Sequence, residues 1–84
     1  MELSCLSIVV PSFDEGATIS TIIRSMLAQR QVHEVIVVDD GSRDQTWEAL
    51  QSLCAEYPRV IALRHPENRG KGAALRTGFV SISS

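Results

Sequence analysis

Cysteine is scarce in this chain: Cys5 and Cys54 are the only two among 84 residues. No CxxC spacing occurs and no histidine stands near either in a ligand pattern, so neither a zinc site nor a disulfide framework can be read from them. Both thiols are expected to be buried in a reduced, cytosolic protein. An excess of basic charge is lacking as well. The formal net charge of −2 leaves no electrostatic footprint for nucleic acid or for an anionic membrane surface. No apolar run is long enough to cross a bilayer, and the amino terminus has neither the basic region nor the apolar stretch of a signal peptide. Those absences point to the cytoplasm. Repeats and low-complexity segments are missing too, and 44% hydrophobic with 21% charged residues is an ordinary globular balance. Eighty-four residues leave room for one domain at most, only marginally stable alone, so a piece of something larger is expected.

What is present begins with Val35-Ile36-Val37-Val38 running straight into Asp39-Asp40-Gly41-Ser42. Four β-branched residues followed by two carboxylates and a turn read as a buried strand that delivers acid groups to a rim. Strands buried on both faces are the mark of parallel α/β sheets, and ligands bind outside their carboxyl ends. Around it the chain alternates. Leu6 to Val10 predicts a strand ended by Pro11, and Ile19, Ile22, Ile23, Met26 and Leu27 predict a helix from about Glu15 to Gln29. After the Val35 to Val38 strand, Ser42 with Gln45 fits a capping box, with Asp44 as the alternative cap. Trp47, Leu50, Leu53, Cys54 and Tyr57 then form the apolar stripe of a second helix, ended by Pro58. Val60 to Leu63 predicts a third strand, His65 to Gly70 a loop, and Lys71 to Val80 a third helix with small residues on one side.

Strand and helix thus alternate three times, which calls for right-handed crossovers and a parallel sheet. The expected fold is α/β: a three-layer, Rossmann-like sheet in strand order 3-2-1 with three helices, half of a doubly wound domain. This order leaves the first strand as an edge. Ile8-Val9-Val10 carries no charge and no evident bulge there, which invites either a further strand or a homo-oligomer formed through the exposed first strand.

Asp39 and Asp40, being adjacent, point to opposite sides of a strand, so spacing alone does not make them an acid/base pair. A carboxylate at that rim can accept from a base N–H or a ribose hydroxyl. Alternatively one of them caps the turn and the other is solvated. Glu15, in the loop after the first strand, converges on the same rim, and Pro11 and Phe13 stiffen that loop and offer an apolar wall to a flat base. Arg69-Gly70-Lys71-Gly72 joins backbone freedom, a cation and a helix amino terminus, a place suited to phosphate oxygens or simply a solvated basic turn. Neither the P-loop spacing nor GxGxxG is present, and no Ser/His/Asp spacing supports a nucleophile. His33 and His65 read as surface residues in loops, and Trp47 and Tyr57 as core.

Taken together, Ser7-Ile8-Val9-Val10-Pro11-Ser12-Phe13-Asp14-Glu15, Val35 to Thr46, and Asn68-Arg69-Gly70-Lys71-Gly72-Ala73-Ala74-Leu75-Arg76-Thr77-Gly78-Phe79 resemble the family 2 glycosyltransferases of GT-A fold. The dolichyl- and polyprenyl-phosphate sugar transferases are the branch they resemble most. The resemblance implies a nucleotide-sugar donor, a UDP- or GDP-sugar, and transfer with inversion to an acceptor, polyprenyl phosphate among them. It assigns Pro11, Phe13 and Glu15 to a nucleoside pocket, Asp39 and Asp40 to base or ribose, and Lys71 to the diphosphate side, with Gly41, and with Arg76 from the same block of the family pattern as Lys71, as further nucleotide-binding residues. Asp14 departs from the Asn more usual in the family. The family's Asp-x-Asp strand, which holds Mg2+ or Mn2+, and its later catalytic base have no counterpart in this sequence. On that resemblance residues 1–84 form the amino-terminal, nucleotide-sugar-binding part of a GT-A domain, truncated before that strand and inactive alone. The metal belongs to the full enzyme, with no ligands in this chain, and the parent is expected at the cytoplasmic face of a membrane. The rival expectation is a non-catalytic fragment that binds nucleotide or self-associates.

Overall fold

The structure, a computed structural model, describes residues 6–83. Three parallel strands, β1 (Leu6–Ser12), β2 (Val32–Asp40) and β3 (Val60–His65), alternate with α1 (Ile19–Leu27), α2 (Thr46–Glu56) and α3 (Lys71–Ser83). The sheet order is β1-β2-β3 with both pairings parallel. This is the expected α/β architecture. Helices α1 and α2 pack together over β2 and β3, while α3 lies on β1 and β2.

The alternation of side chains along β2 shows why Val35 to Val38 form an unbroken apolar run. Val35 and Val37 join Ile19, Ile23, Leu27, Leu50 and Leu53 in the core under α1 and α2. Ile36, buried as fully, pairs with Val9 of β1, whose side chain meets Gly78 of α3. Both faces of β2 are covered from Val35 to Val38, so neither admits a polar residue along that stretch. Each fully buried aliphatic side chain here contributes about 1.5–3 kcal/mol. The small side of α3 also has a purpose. A Cβ on Gly78 would stand 2.3 Å from Val9 Cγ1, so the helix rests on β1 only because nothing projects there. Gly78→Ala is expected to lower stability by about 1–3 kcal/mol, the cost of overpacking against a stiff β-branched neighbour. Urea denaturation measures it; an unchanged midpoint would show that α3 can slide.

Several element ends differ from the sequence expectation. Helix α1 begins at Ile19 rather than near Glu15; before it the Glu15 carbonyl accepts the Thr18 and Ile19 amides in a turn, while the Glu15 and Gly16 amides donate to Thr46 Oγ1 and Asp44 Oδ2 across the rim. The Ser42–Gln45 capping box is not formed. Asp44 Oδ1 accepts the Thr46 amide at 2.9 Å, while Ser42 Oγ accepts the Asp14 amide at 2.9 Å. Strands β2 and β3 extend past their apolar runs to Asp40 and His65, since ladder pairing with a neighbour does not require an apolar side chain.

Strand β1 is one edge of the sheet among the described residues, with β3 the other. Its register with β2 is regular from Ser7 to Ser12 but shifts between Leu6 and Ser7, so an irregularity precedes Ile8-Val9-Val10 where none was expected. Ser7 Oγ donates to Glu34 Oε2 there at 2.7 Å. His33 sits on β2, exposed, rather than in a loop. Trp47 and Tyr57 are half-buried against the core. Cys54 is a half-buried free thiol whose burial pushes its pKa up, against a smaller opposing effect of a backbone hydrogen bond; Cys5 lies outside the described residues. Among the described residues no helix is long and apolar enough to cross a membrane.

Candidate functional site

Three loops meet where the strands end. The first, after β1, is fastened to the second by side-chain bonds to its backbone. Asp14 takes a left-handed φ of 51°, a conformation that Asp and Asn tolerate better than other non-glycine residues. Its carboxylate accepts the Arg43 amide at 2.7 Å and the Arg43 guanidinium at 3.3 Å. Asn in the same place could make the same backbone bond. Phe13 is left partly exposed at the rim with the Arg43 guanidinium 5.6 Å from its ring centre. Glu15 Oε1 accepts the Phe13 amide at 3.3 Å.

The adjacent carboxylates diverge as strand geometry requires. Asp39 is fully buried: Oδ1 accepts the Ser42 amide at 3.0 Å, and Oδ2 has no hydrogen bond, Arg64 Nε being 3.8 Å away. Arg64 in turn lies over the Trp47 ring at 5.2 Å. Beside Asp39, its β1 neighbour Ser12 is 2% exposed and its hydroxyl also lacks a partner.

Asp40 turns to the other face and organises the third loop. Its Oδ1 accepts the Arg69 amide at 2.9 Å and lies 2.8 Å from His65 Nδ1, and its Oδ2 accepts the Gly70 amide at 2.8 Å. Burial pushes the Asp40 pKa up, but the bonds from His65, Arg69 and Gly70 together outweigh it and hold the carboxyl below its usual value. Asp40 is therefore ionised at neutral pH. His65 overturns the surface expectation: it is 5% exposed and its Nε2 lies 2.7 Å from Thr77 Oγ1 of α3.

These loops enclose a cleft of about 430 Å³. The β1 end and first loop line it with Pro11, Ser12, Phe13 and Glu15; across from them stand Asp40, Asn68, Gly70 and Lys71. Five of the residues singled out in the sequence, Pro11, Phe13, Glu15, Asp40 and Lys71, thus share one cavity. Asp39 lies buried at the end of β2 and is not among its lining residues. Gly41 lines a neighbouring hollow with Phe13 and Asn68, and Arg76 lines another beside His65 and Thr77. Ser12 and Asn68 were not anticipated. Asn68 follows no periodicity, though its Oδ1 accepts the Gly70 amide at 3.1 Å; Ser12 is placed by its pairing with Asp39, which neither strand's sequence announces. Among the described residues no group of three or more His, Cys, Asp or Glu could hold a metal ion.

A family model described as "Glycosyl transferase family 2" matches residues 7–81. The human dolichyl-phosphate beta-glucosyltransferase is 43% identical over 89 aligned residues, covering 90% of this chain and 27% of that protein. The dolichol-phosphate mannosyltransferase of Pyrococcus furiosus is 31% identical, covering 93% and 22%. Among solved structures, the mannosyltransferase PcManGT from Pyrobaculum calidifontis, in complex with GDP-Man and Mn2+, superposes with a TM-score of 0.81 at 28% identity, covering 89% of this chain and 23% of that one. The chain spans about a quarter of the length of the curated relatives it matches.

Proposed function

Because the chain belongs to glycosyl transferase family 2, we propose that it is the nucleotide-recognising part of an enzyme that transfers a sugar from a UDP- or GDP-sugar to an acceptor, polyprenyl phosphate being the acceptor class its relatives suggest. The observation that carries this is the cleft at the carboxyl ends of β1 and β2. There a partly exposed ring, Phe13, faces a basic helix start across a floor that contains an ionised carboxylate. In open α/β sheets ligands bind in that crevice. A base rests against Phe13 and Pro11, Glu15 accepts from its polar edge or from ribose, and Lys71 at the first turn of α3 attracts the diphosphate, where the helix dipole favours anions.

The described residues do not fit the divalent metal expected of the full enzyme. Asp39 and Asp40 point apart, their oxygens are largely engaged within the fold, and no third ligand joins them. These residues bind and orient a donor.

Calorimetric titration with UDP and with GDP tests the reading. One nucleotide is expected to bind saturably, and Lys71→Ala to weaken the diphosphate about tenfold while changing the bare nucleoside little, as loss of one charge-assisted contact does. Absence of binding by both nucleotides would defeat it.

A further inference from the structure

His65 is an unexpected choice for its position. Its side chain lies under the third loop, enclosed by Asp40 of β2 and Thr77 of α3, and shares a hollow with the side chains of Arg69 and Arg76. A buried polar pair of this kind is a poor source of stability, since an apolar residue of similar volume often serves as well. What an apolar residue cannot do is fix a carboxylate. Asp40 in turn holds the Arg69 and Gly70 amides, the last two before α3, at 2.9 and 2.8 Å.

Resting on the nucleotide reading of the cleft, we propose that His65, braced by Thr77, is a positioning residue: it fixes Asp40, and through Asp40 the Arg69–Gly70 turn that places Lys71 at the diphosphate side.

The proton count supports a brace that holds in either charge state. Asp40 is ionised, so Nδ1 carries a proton whether the ring is neutral or cationic. Thr77 has one hydroxyl proton and two acceptors in reach, His65 Nε2 and the Ala73 carbonyl at 3.1 Å. With a neutral ring the hydroxyl donates to Nε2. With a cationic ring Nε2–H donates to Oγ1 and the hydroxyl donates to Ala73. Either way both ring nitrogens are bonded, and Asp40 keeps its place. The charged groups around the ring are Asp40 from β2, Arg69 from the loop and Arg76 from α3.

Hydrogen exchange at the Arg69 and Gly70 amides, with UDP and GDP titrations alongside, tests the proposal in His65→Leu and His65→Asn. In His65→Leu both amides are expected to exchange about tenfold faster and nucleoside diphosphate affinity to fall about tenfold. In His65→Asn, whose side-chain amide can still donate toward Asp40, much of both is expected to return. Where His65→Leu does not fold, Thr77→Val removes only the brace and is expected to give the smaller change of the same kind. Wild-type protection of both amides in the apolar variant, or no rescue by asparagine, overturns the proposal. If the unaltered chain binds neither nucleotide, the functional reading fails, while the exchange data still decide whether His65 holds the turn.

Discussion

Replacing Gly41 with alanine is expected to cost about 3 kcal/mol or more and to take the cleft with it. Gly41 has a φ of 74°, and a non-glycine residue in the left-handed region carries about 1–2 kcal/mol of strain. Space is the larger obstacle. An added Cβ would stand 2.5 Å from the Asn68 nitrogen and from the Glu67 carbonyl carbon, and 2.9 Å from Glu67 Cα. All three are backbone atoms, so no rotamer change relieves the contact and the whole third loop must lift, adding about 1–3 kcal/mol. That loop supplies Asn68, Gly70 and the approach to Lys71. A domain of this size has about 5 kcal/mol to lose at the lower end of the usual range, so the variant is expected to be largely unfolded when warmed and not to bind nucleotide when cold. Urea denaturation beside the nucleotide titration reads both. A midpoint within experimental error of the unaltered chain would mean the loop does not pack on Gly41 as described. Gly70 is the internal contrast: its φ is 93°, yet nothing lies within 4 Å of its added Cβ, so alanine there meets only the backbone strain.

Asp40→Ala is expected to cost about 3–5 kcal/mol at neutral pH, because it leaves a buried imidazole and two backbone amides without their acceptor. The pH dependence distinguishes this from a simple packing loss. The Asp40 pKa is lower folded than the ordinary value of 3.8. A group with a depressed folded pKa stabilises fully above its unfolded pKa, and this contribution is lost as pH falls through the folded one. The chain should therefore lose stability as pH drops below about 4, and the gap between it and Asp40→Asn should narrow over the same window. Asp44, also lowered, chiefly by the hydrogen bond from Thr46, titrates in the same direction and remains in both proteins, so it cancels in the comparison. Equal gaps at about pH 7 and about pH 3 would show that the Asp40 charge does not stabilise the fold.

The alternation of the elements was legible because burial on both faces of β2 leaves a signal in every residue from Val35 to Val38. The rim carboxylates were legible for the converse reason: Asp39 and Asp40 stand where apolar residues stop. His65 was not. It follows a short apolar run and precedes Pro66, a pattern shared with surface turns, and its partner is 25 residues earlier. Only the β2–β3 register, which sets Asp40 opposite His65, brings them together, and register is not written in either strand alone. Ser12 was hidden in the same way by its pairing with Asp39. The capping box misled because Ser42 has two backbone customers in reach, its own helix and the Asp14 amide, and the fold supplies the second. Of the candidate site, Pro11, Phe13, Glu15, Asp40 and Lys71 were readable; Ser12, His65 and Asn68, whose places depend on register or on loop geometry, were not.

The link from Thr77 through His65 and Asp40 to the Arg69 and Gly70 amides also bears on how this surface can change over generations. Thr77 and His65 each satisfy a buried neighbour, and Asp40 satisfies two loop amides, so an exchange at one position strands a polar group at the next, and the effects of paired exchanges do not add. A library that varies positions 40, 65 and 77 one at a time would record losses at each and suggest that the site is frozen. Varied jointly, the same three positions could pass together to another self-consistent set, with a different donor pattern beneath the cleft.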